Sequence, residues 1–149
     1  MNVIVTNEQT DLSISKKQVV KIVKAVLCLE EVTCDEVSIN FVTTEEICAL
    51  HRDYFDDPSP TDCISFPMSD GELTQGIPIL GDVFVCPETA IEYSKENQVD
   101  LYEEVTLYIV HGLLHLIGYD DITELEQLSM REAEKRHMKH LKEMSLCLS

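Results

Sequence analysis

Positive charge is scarce in this chain: 11 Lys and Arg residues stand against 28 Asp and Glu residues, a formal net charge of −17. That excludes a broad electrostatic surface for nucleic acid, because such binding draws its affinity from Lys and Arg neutralising phosphates. Nine of the eleven basic residues nevertheless fall in two short segments, Lys16, Lys17, Lys21 and Lys24 near the start and Arg131, Lys135, Arg136, Lys139 and Lys142 near the end. They are either the solvated faces of two amphipathic helices or local contacts to a polyanion. The six cysteines contain no CxxC pair, so zinc-ribbon and dithiol redox motifs are excluded and free, reduced thiols are expected. No apolar run reaches membrane-spanning length, and MNVIVTNEQT has neither a basic n-region nor an apolar h-region. The expectation is a cytoplasmic protein with no membrane partner. Internal repeats, low-complexity tracts and linkers are also missing, and 149 residues suit one domain over 1–149 that buries roughly two-thirds of its unfolded surface.

What is present reads as alternating strands and helices. Asn2 to Thr6 can form a strand, and from Ser15 the residues Val19, Val20, Ile22, Val23, Val26 and Leu27 follow helical spacing. Val37, Ile39 and Phe41 alternate as in a half-buried strand, and Thr43 with Glu46 predicts a capping box opening a helix to about Tyr54. DDPSP is a turn, Cys63 to Phe66 a strand, MSDGELTQG a polar loop, and Ile79 to Cys86 another strand. Pro87 suits the first turn of a helix reaching about Asn97. Leu101 to Ile117 is helical in length and apolar nearly all round, which places it in the core. Gly118 ends it, and Thr123 with Glu126 predicts a second capping box for a surface helix to about Met144. The class that follows is α+β, with about four strands in a small, mainly parallel or mixed sheet packed with helices.

The chemistry lies in HGLLHLIGYDD, residues 111–121. Residues four apart share a helix face, so His111 and His115 can present ring nitrogens to one ion. Gly118 lets the chain turn back, and Asp121 can then close the site from outside the helix. Two imidazoles and a carboxylate leave an open position, the pattern of a catalytic rather than a structural zinc site. The alternative is a pair of core histidines satisfied by other partners, which buried imidazoles require. His51 has no such context and is undecided, while His137 and His140 read as solvated. The spacing is similar to the zincin pattern HExxHxxGxxH, but Gly112 occupies the position of the Glu that serves those proteases as general base.

HGLLHLIGYDD also resembles HGxLHLxGYDH, the signature of the YbeY family of bacterial rRNA-maturation endoribonucleases. PTDCISFP, residues 60–67, resembles that family's PTDVLSFP, and LGDVFVCPETA, residues 80–90, resembles its LGD block. The resemblance implies a zincin-like α+β fold whose central helix carries one zinc ion. It also implies cleavage of single-stranded RNA, work in rRNA maturation and ribosome quality control, and ribosomal RNA with the small ribosomal subunit as partners, DNA not being expected. His111 and His115 match the first two family ligands, and Asp121 stands where the third is normally His. Asp120, in the family's GYD, is more naturally a turn residue and remains a fallback ligand. The family pattern YRxxDxPTD has Phe55 at its Arg position, so Arg52, three residues earlier on the same predicted helix, is either the candidate to act with His111 and His115 in catalysis or a plain surface charge.

The reaction expected is metal-assisted phosphodiester hydrolysis, with Asp82 a candidate proton acceptor and Asp62 and Ser65 orienting backbone near the site. Two other readings stay open: a ribosome-associated module with a structural metal, and a metalloprotease.

Overall fold

The computed structural model describes residues 1–68, 73–74 and 77–149. Along the chain run β1 (Asn2–Asn7), α1 (Lys16–Leu29), β2 (Glu36–Phe41), α2 (Thr44–Phe55), β3 (Cys63–Pro67), β4 (Leu73–Thr74), β5 (Ile77–Val85), α3 (Pro87–Asn97), α4 (Leu101–Leu116) and α5 (Glu124–Glu143). The sheet order is β1-β2-β5-β3, with β1, β2 and β5 parallel, β3 antiparallel to β5, and the two-residue β4 also paired with β5. The α+β class and the mixed, mainly parallel sheet are those expected from the sequence. The polar-loop reading of 68–76 is amended at β4; residues 69–72, 75 and 76 of that stretch lie outside the described residues.

Four of the five helices begin where a side chain can satisfy an orphan backbone donor; α3 instead opens on Pro87, which has no amide proton to satisfy. Ser15 accepts from the Gln18 amide at 3.3 Å, Thr43 from Glu46 at 3.2 Å, Asp100 from Glu103 at 2.9 Å and Thr123 from Glu126 at 3.1 Å. Only Thr123 completes the reciprocal box, with the Glu126 carboxylate accepting the Thr123 amide. At α2 the Glu46 carboxylate takes the Thr43 hydroxyl instead, so the box expected there is half made.

Strand alternation divides the interior in two. Val37, Ile39 and Phe41 of β2 and Val83 and Val85 of β5 meet α1, α4 and α5 in the main core. On the opposite face Ile64, Phe66 and Phe84 pack with Ile47 and Leu50 of α2. That second face also carries polar residues: Thr6 donates to Asn40 at 2.7 Å, Asn40 to Ser38 at 3.0 Å, and Ser38 to Asp82.

The helix apolar all round, α4, lies between the sheet and α5, with Val105, Ile109, Val110, Leu113 and Leu114 fully buried. Each such side chain contributes about 1.5–3 kcal/mol over an exposed one. Helix and sheet approach closely at Gly112, where a Cβ would stand 2.4 Å from Cγ1 of Val83. Ser65 of β3 locks the same point by donating to the Gly112 carbonyl at 2.8 Å. Position 112 therefore has no room for any side chain, least of all the glutamate of HExxH.

Alanine at 112 improves helix propensity by about 1 kcal/mol but forces α4 off β5. Gly112→Ala is expected to lower stability by about 1–3 kcal/mol in denaturant melts. An unchanged or raised midpoint would contradict this packing.

Candidate metal centre

The 3.6-residue period sets His111 and His115 side by side on α4, ring centroids 4.6 Å apart and nearly perpendicular. Their Nε2 atoms are 3.1 Å apart. Asp121 Oδ2 lies 3.8 Å from the first and 3.5 Å from the second. A circle through three points so spaced has a radius of about 2.0 Å, the length of an imidazole or carboxylate bond to a small divalent ion such as zinc. The three side chains form a group that could hold a metal ion. The imidazoles are about one-quarter exposed and Asp121 is 46% exposed, so the group sits at a surface opening.

Glu134 decides which His111 nitrogen is available. Its Oε2 lies 2.6 Å from His111 Nδ1, and its side chain is only 14% exposed. Burial pushes the His111 pKa down, but the hydrogen bond and charge of Glu134, helped by Asp62 and Asp121, outweigh it and hold the group above its ordinary value. The proton shared with Glu134 belongs on Nδ1, which leaves the Nε2 lone pair directed at His115 and Asp121. Two imidazole nitrogens 3.1 Å apart with a carboxylate beside them are a donor set suited to a cation. Ligation requires neutral imidazole, so protons compete with the metal as pH falls.

Several contacts fix the loop that delivers Asp121. Gly118 has φ +112°, a conformation that favours glycine; its amide donates to His115 O at 3.2 Å, and that of Tyr119 to Leu114 O at 3.0 Å, the paired bonds of a Schellman motif. The Tyr119 hydroxyl then donates to Glu30 at 2.8 Å, where Arg136 and His137 also converge at 2.8 and 2.9 Å. Burial alone would raise the Glu30 pKa, but Arg136, Tyr119 and His137 hold it below its ordinary value. Gln127 donates to the Asp121 carbonyl at 3.1 Å.

The expectation that His137 is solvated is corrected: it is fully buried, because its Nε2 reaches Glu30 across the interface of α5 with the end of α1. Its Nδ1 has no hydrogen-bond partner among the described residues, and burial holds its pKa below the ordinary value. The neutral ring, donating from Nε2, suits both facts.

The His111, His115 and Asp121 group opens on a cavity of about 410 Å³ whose walls include His51, Phe55, Thr61, Asp62 and Ser65. His51, undecided from sequence, stands on that wall with Nδ1 2.9 Å from the Ser59 carbonyl. Asp62 accepts from the Cys63 amide at 2.7 Å, and Asp120 lines the cleft without belonging to the convergent group. Burial, with Asp62, Glu134 and Asp121 adding to it, pushes the Cys63 thiol well up, so it stays protonated beside the donors. Arg52 is not brought to the cleft; it lies exposed on α2, paired with Asp53 at 3.1 Å. Asp82, beneath Ser38 on the opposite sheet face from α4, is likewise apart from the metal group. Glu134 was not singled out from the sequence; its one signal is its place on α5, four residues after buried Met130.

A mixed sheet backed by a central helix, with two histidines on that helix and an acidic residue in the loop after it, defines an α+β protein with a histidine–carboxylate group that could hold a metal ion. The family model described as Endoribonuclease YbeY matches residues 4–142, and the chain belongs to that family. It is 57% identical over 141 residues to the Endoribonuclease YbeY of Protochlamydia amoebophila (strain UWE25), covering 95% of this chain and 93% of the relative. It is 38% identical over 152 residues to that of Chlamydia abortus (strain DSM 27085 / S26/3), covering 100% of this chain and 96% of the relative. The solution structure of TM1509 from Thermotoga maritima shares the fold, with a TM-score of 0.66 over 96% of this chain and 91% of that one at 22% identity.

Removing the charge of Glu134 while keeping its shape should loosen the ion without unfolding α5. Glu134→Gln is expected to weaken zinc affinity about 10- to 100-fold in competition with a chelating dye. Unchanged affinity would mean that Glu134 does not support the site.

Proposed function

We propose that this chain is a zinc-dependent endoribonuclease that hydrolyses single-stranded RNA, acting in the cytoplasm on ribosomal RNA, with the small ribosomal subunit as partner, during maturation and quality control. The observation that carries the reading is the convergence of His111 Nε2, His115 Nε2 and Asp121 Oδ2 at the mouth of an open cleft, in a member of the YbeY family. Among the described residues no helix is long and apolar enough to cross a membrane.

His111, His115 and Asp121 would hold the ion, which supplies positive charge against a phosphoryl oxygen and acidifies water. The remaining work belongs to the chain. Glu134 keeps the His111 proton on Nδ1. Asp62 and Asp120, on the cleft wall, are the carboxylates placed to accept a proton from water. Phe55 is 54% exposed on that wall, tilted against His51 at 5.7 Å and stacked over Phe66 at 6.1 Å. An exposed ring beside a phosphate site offers a stacking platform to an unpaired base and none to a closed duplex, which supports single-stranded substrate.

The competing reading is a ribosome-associated module with a structural ion. It is favoured by Asp121, which adds a negative charge where the family has His, and by Phe55, which removes an arginine. A protease is disfavoured, because Gly112 leaves no space for the glutamate base.

Cleavage of a structured ribosomal RNA fragment and of a peptide, with metal content measured alongside, separates the three. Wild type is expected to carry one zinc and cut the RNA only, and His115→Ala to lose both ion and activity. Asp121→His, which removes one negative charge from the ion's surroundings, is expected to cut as fast or faster. Full zinc occupancy with no RNA cleavage by either wild type or Asp121→His would favour the binding module, and peptide cleavage would favour the protease.

A further inference from the structure

The cleft does not end at the metal donors. A second cavity of about 560 Å³ shares Thr61, Asp62, His111 and Asp121 with the first. A third, of about 140 Å³, shares His111, Asp121, Arg131 and Glu134 with the second. Together they form one trough that starts at the His51 and Phe55 wall, crosses the donor group and runs along α5. Five carboxylates line it, Asp62, Glu104, Asp120, Asp121 and Glu134. Among the described residues Arg131 is the one lysine or arginine that does.

A phosphodiester strand entering such a trough meets repulsion that the ion offsets only where it sits. With Asp121 bound, a divalent ion keeps one net positive charge, enough for the phosphate it touches. The neighbouring phosphate needs a cation of its own. Arg131 is placed to be that cation. It shares a stripe of α5 with Gln127, four residues before, and Glu134, three residues after. Both of those are engaged with the metal site, Gln127 through the Asp121 carbonyl and Glu134 through His111. They orient this face of α5 toward the trough, while Arg131 itself is exposed and forms no ion pair with the described residues. Arg136 and Lys142 of the same basic segment are paired with Glu30 and Glu103 instead.

We propose that Arg131 binds the phosphate adjoining the one at the metal donors, so that the RNA strand lies along the trough with a base toward Phe55 and a flanking phosphate on α5. This rests on the endoribonuclease reading. A guanidinium suits the task because its planar fork offers paired donors to phosphate oxygens without losing its charge.

The test uses zinc-loaded protein and a short single-stranded 2′-O-methylated oligonucleotide, with affinity followed by fluorescence anisotropy across a salt series. Arg131→Gln is expected to weaken binding about two- to fivefold, the scale of one solvent-exposed ionic contact. The slope of log affinity against log salt should also fall by about 0.7, the increment for one phosphate on a single strand. Arg131→Lys should keep the slope, Lys95→Gln, an exposed cation away from the trough, should change neither quantity, and zinc content should stay the same throughout. In cleavage of unmodified RNA, Arg131→Gln should raise KM and leave kcat within about twofold. Identical affinity and slope for wild type and Arg131→Gln would overturn the assignment and leave the endoribonuclease reading standing. Loss of kcat with KM unchanged would overturn it too, by placing Arg131 on the reacting phosphate, and loss of zinc would overturn it by making Arg131 structural. Wild type that neither binds nor cuts RNA would overturn both readings.

Discussion

The 2.6 Å hydrogen bond between His111 Nδ1 and Glu134 joins the two helices on which the candidate site is built, and most of the local geometry depends on it. It fixes the His111 tautomer, so that Nε2 rather than Nδ1 meets His115 and Asp121. The rotation of α5, set by its buried Met130, Ala133, His137 and Leu141, brings Glu134 to this bond and also places Gln127 under the Asp121 carbonyl and Arg131 at the trough. A largely buried glutamate needs a partner, and the one-quarter-exposed His111 imidazole is a well-matched one. The same contact that satisfies Glu134 therefore prepares His111 for a cation.

Asp121 belongs to a different mechanical unit. Its loop is tied by the Schellman turn at Gly118, by Tyr119 on Glu30 and by the capping box at Thr123, so its carboxylate reaches the histidines from a braced backbone. Glu30 gathers Tyr119, Arg136 and His137, linking the end of α1, the loop and α5. The acidic third donor is thus supported by contacts that need no histidine at 121. Its cost is electrostatic, because it adds charge to a trough that already carries four other carboxylates.

Much of this was legible in the sequence because it is local. The i, i+4 pair His111 and His115 follows from a 3.6-residue period, the nearly all-round apolar pattern of α4 marks it as a core helix, and Pro87 and Thr123 mark helix starts by their own chemistry. The missing features depend on pairings distant in sequence. His137 looked solvated amid charged neighbours, yet it is buried by a partner 107 residues away. Glu134 is one acid among many on α5, and nothing in its neighbours announces His111. Arg52 and Arg131 were equally basic on paper. At 100° per residue Arg52 lies about 140° from buried Ile47 on α2, whereas Arg131 adjoins buried Met130 on α5. The two-residue β4 is too short to carry a period of its own.

The central claim is that His111, His115 and Asp121 ligate one ion, and X-ray absorption at the zinc edge on protein loaded with one equivalent of zinc tests it most directly. The account predicts a shell of nitrogen and oxygen scatterers at about 2.0–2.1 Å with the outer-shell signature of two imidazoles, and a changed shell in Asp121→Ala. Sulfur scattering at about 2.3 Å, the mark of a thiolate such as Cys63, or a shell indifferent to Asp121→Ala, would contradict it.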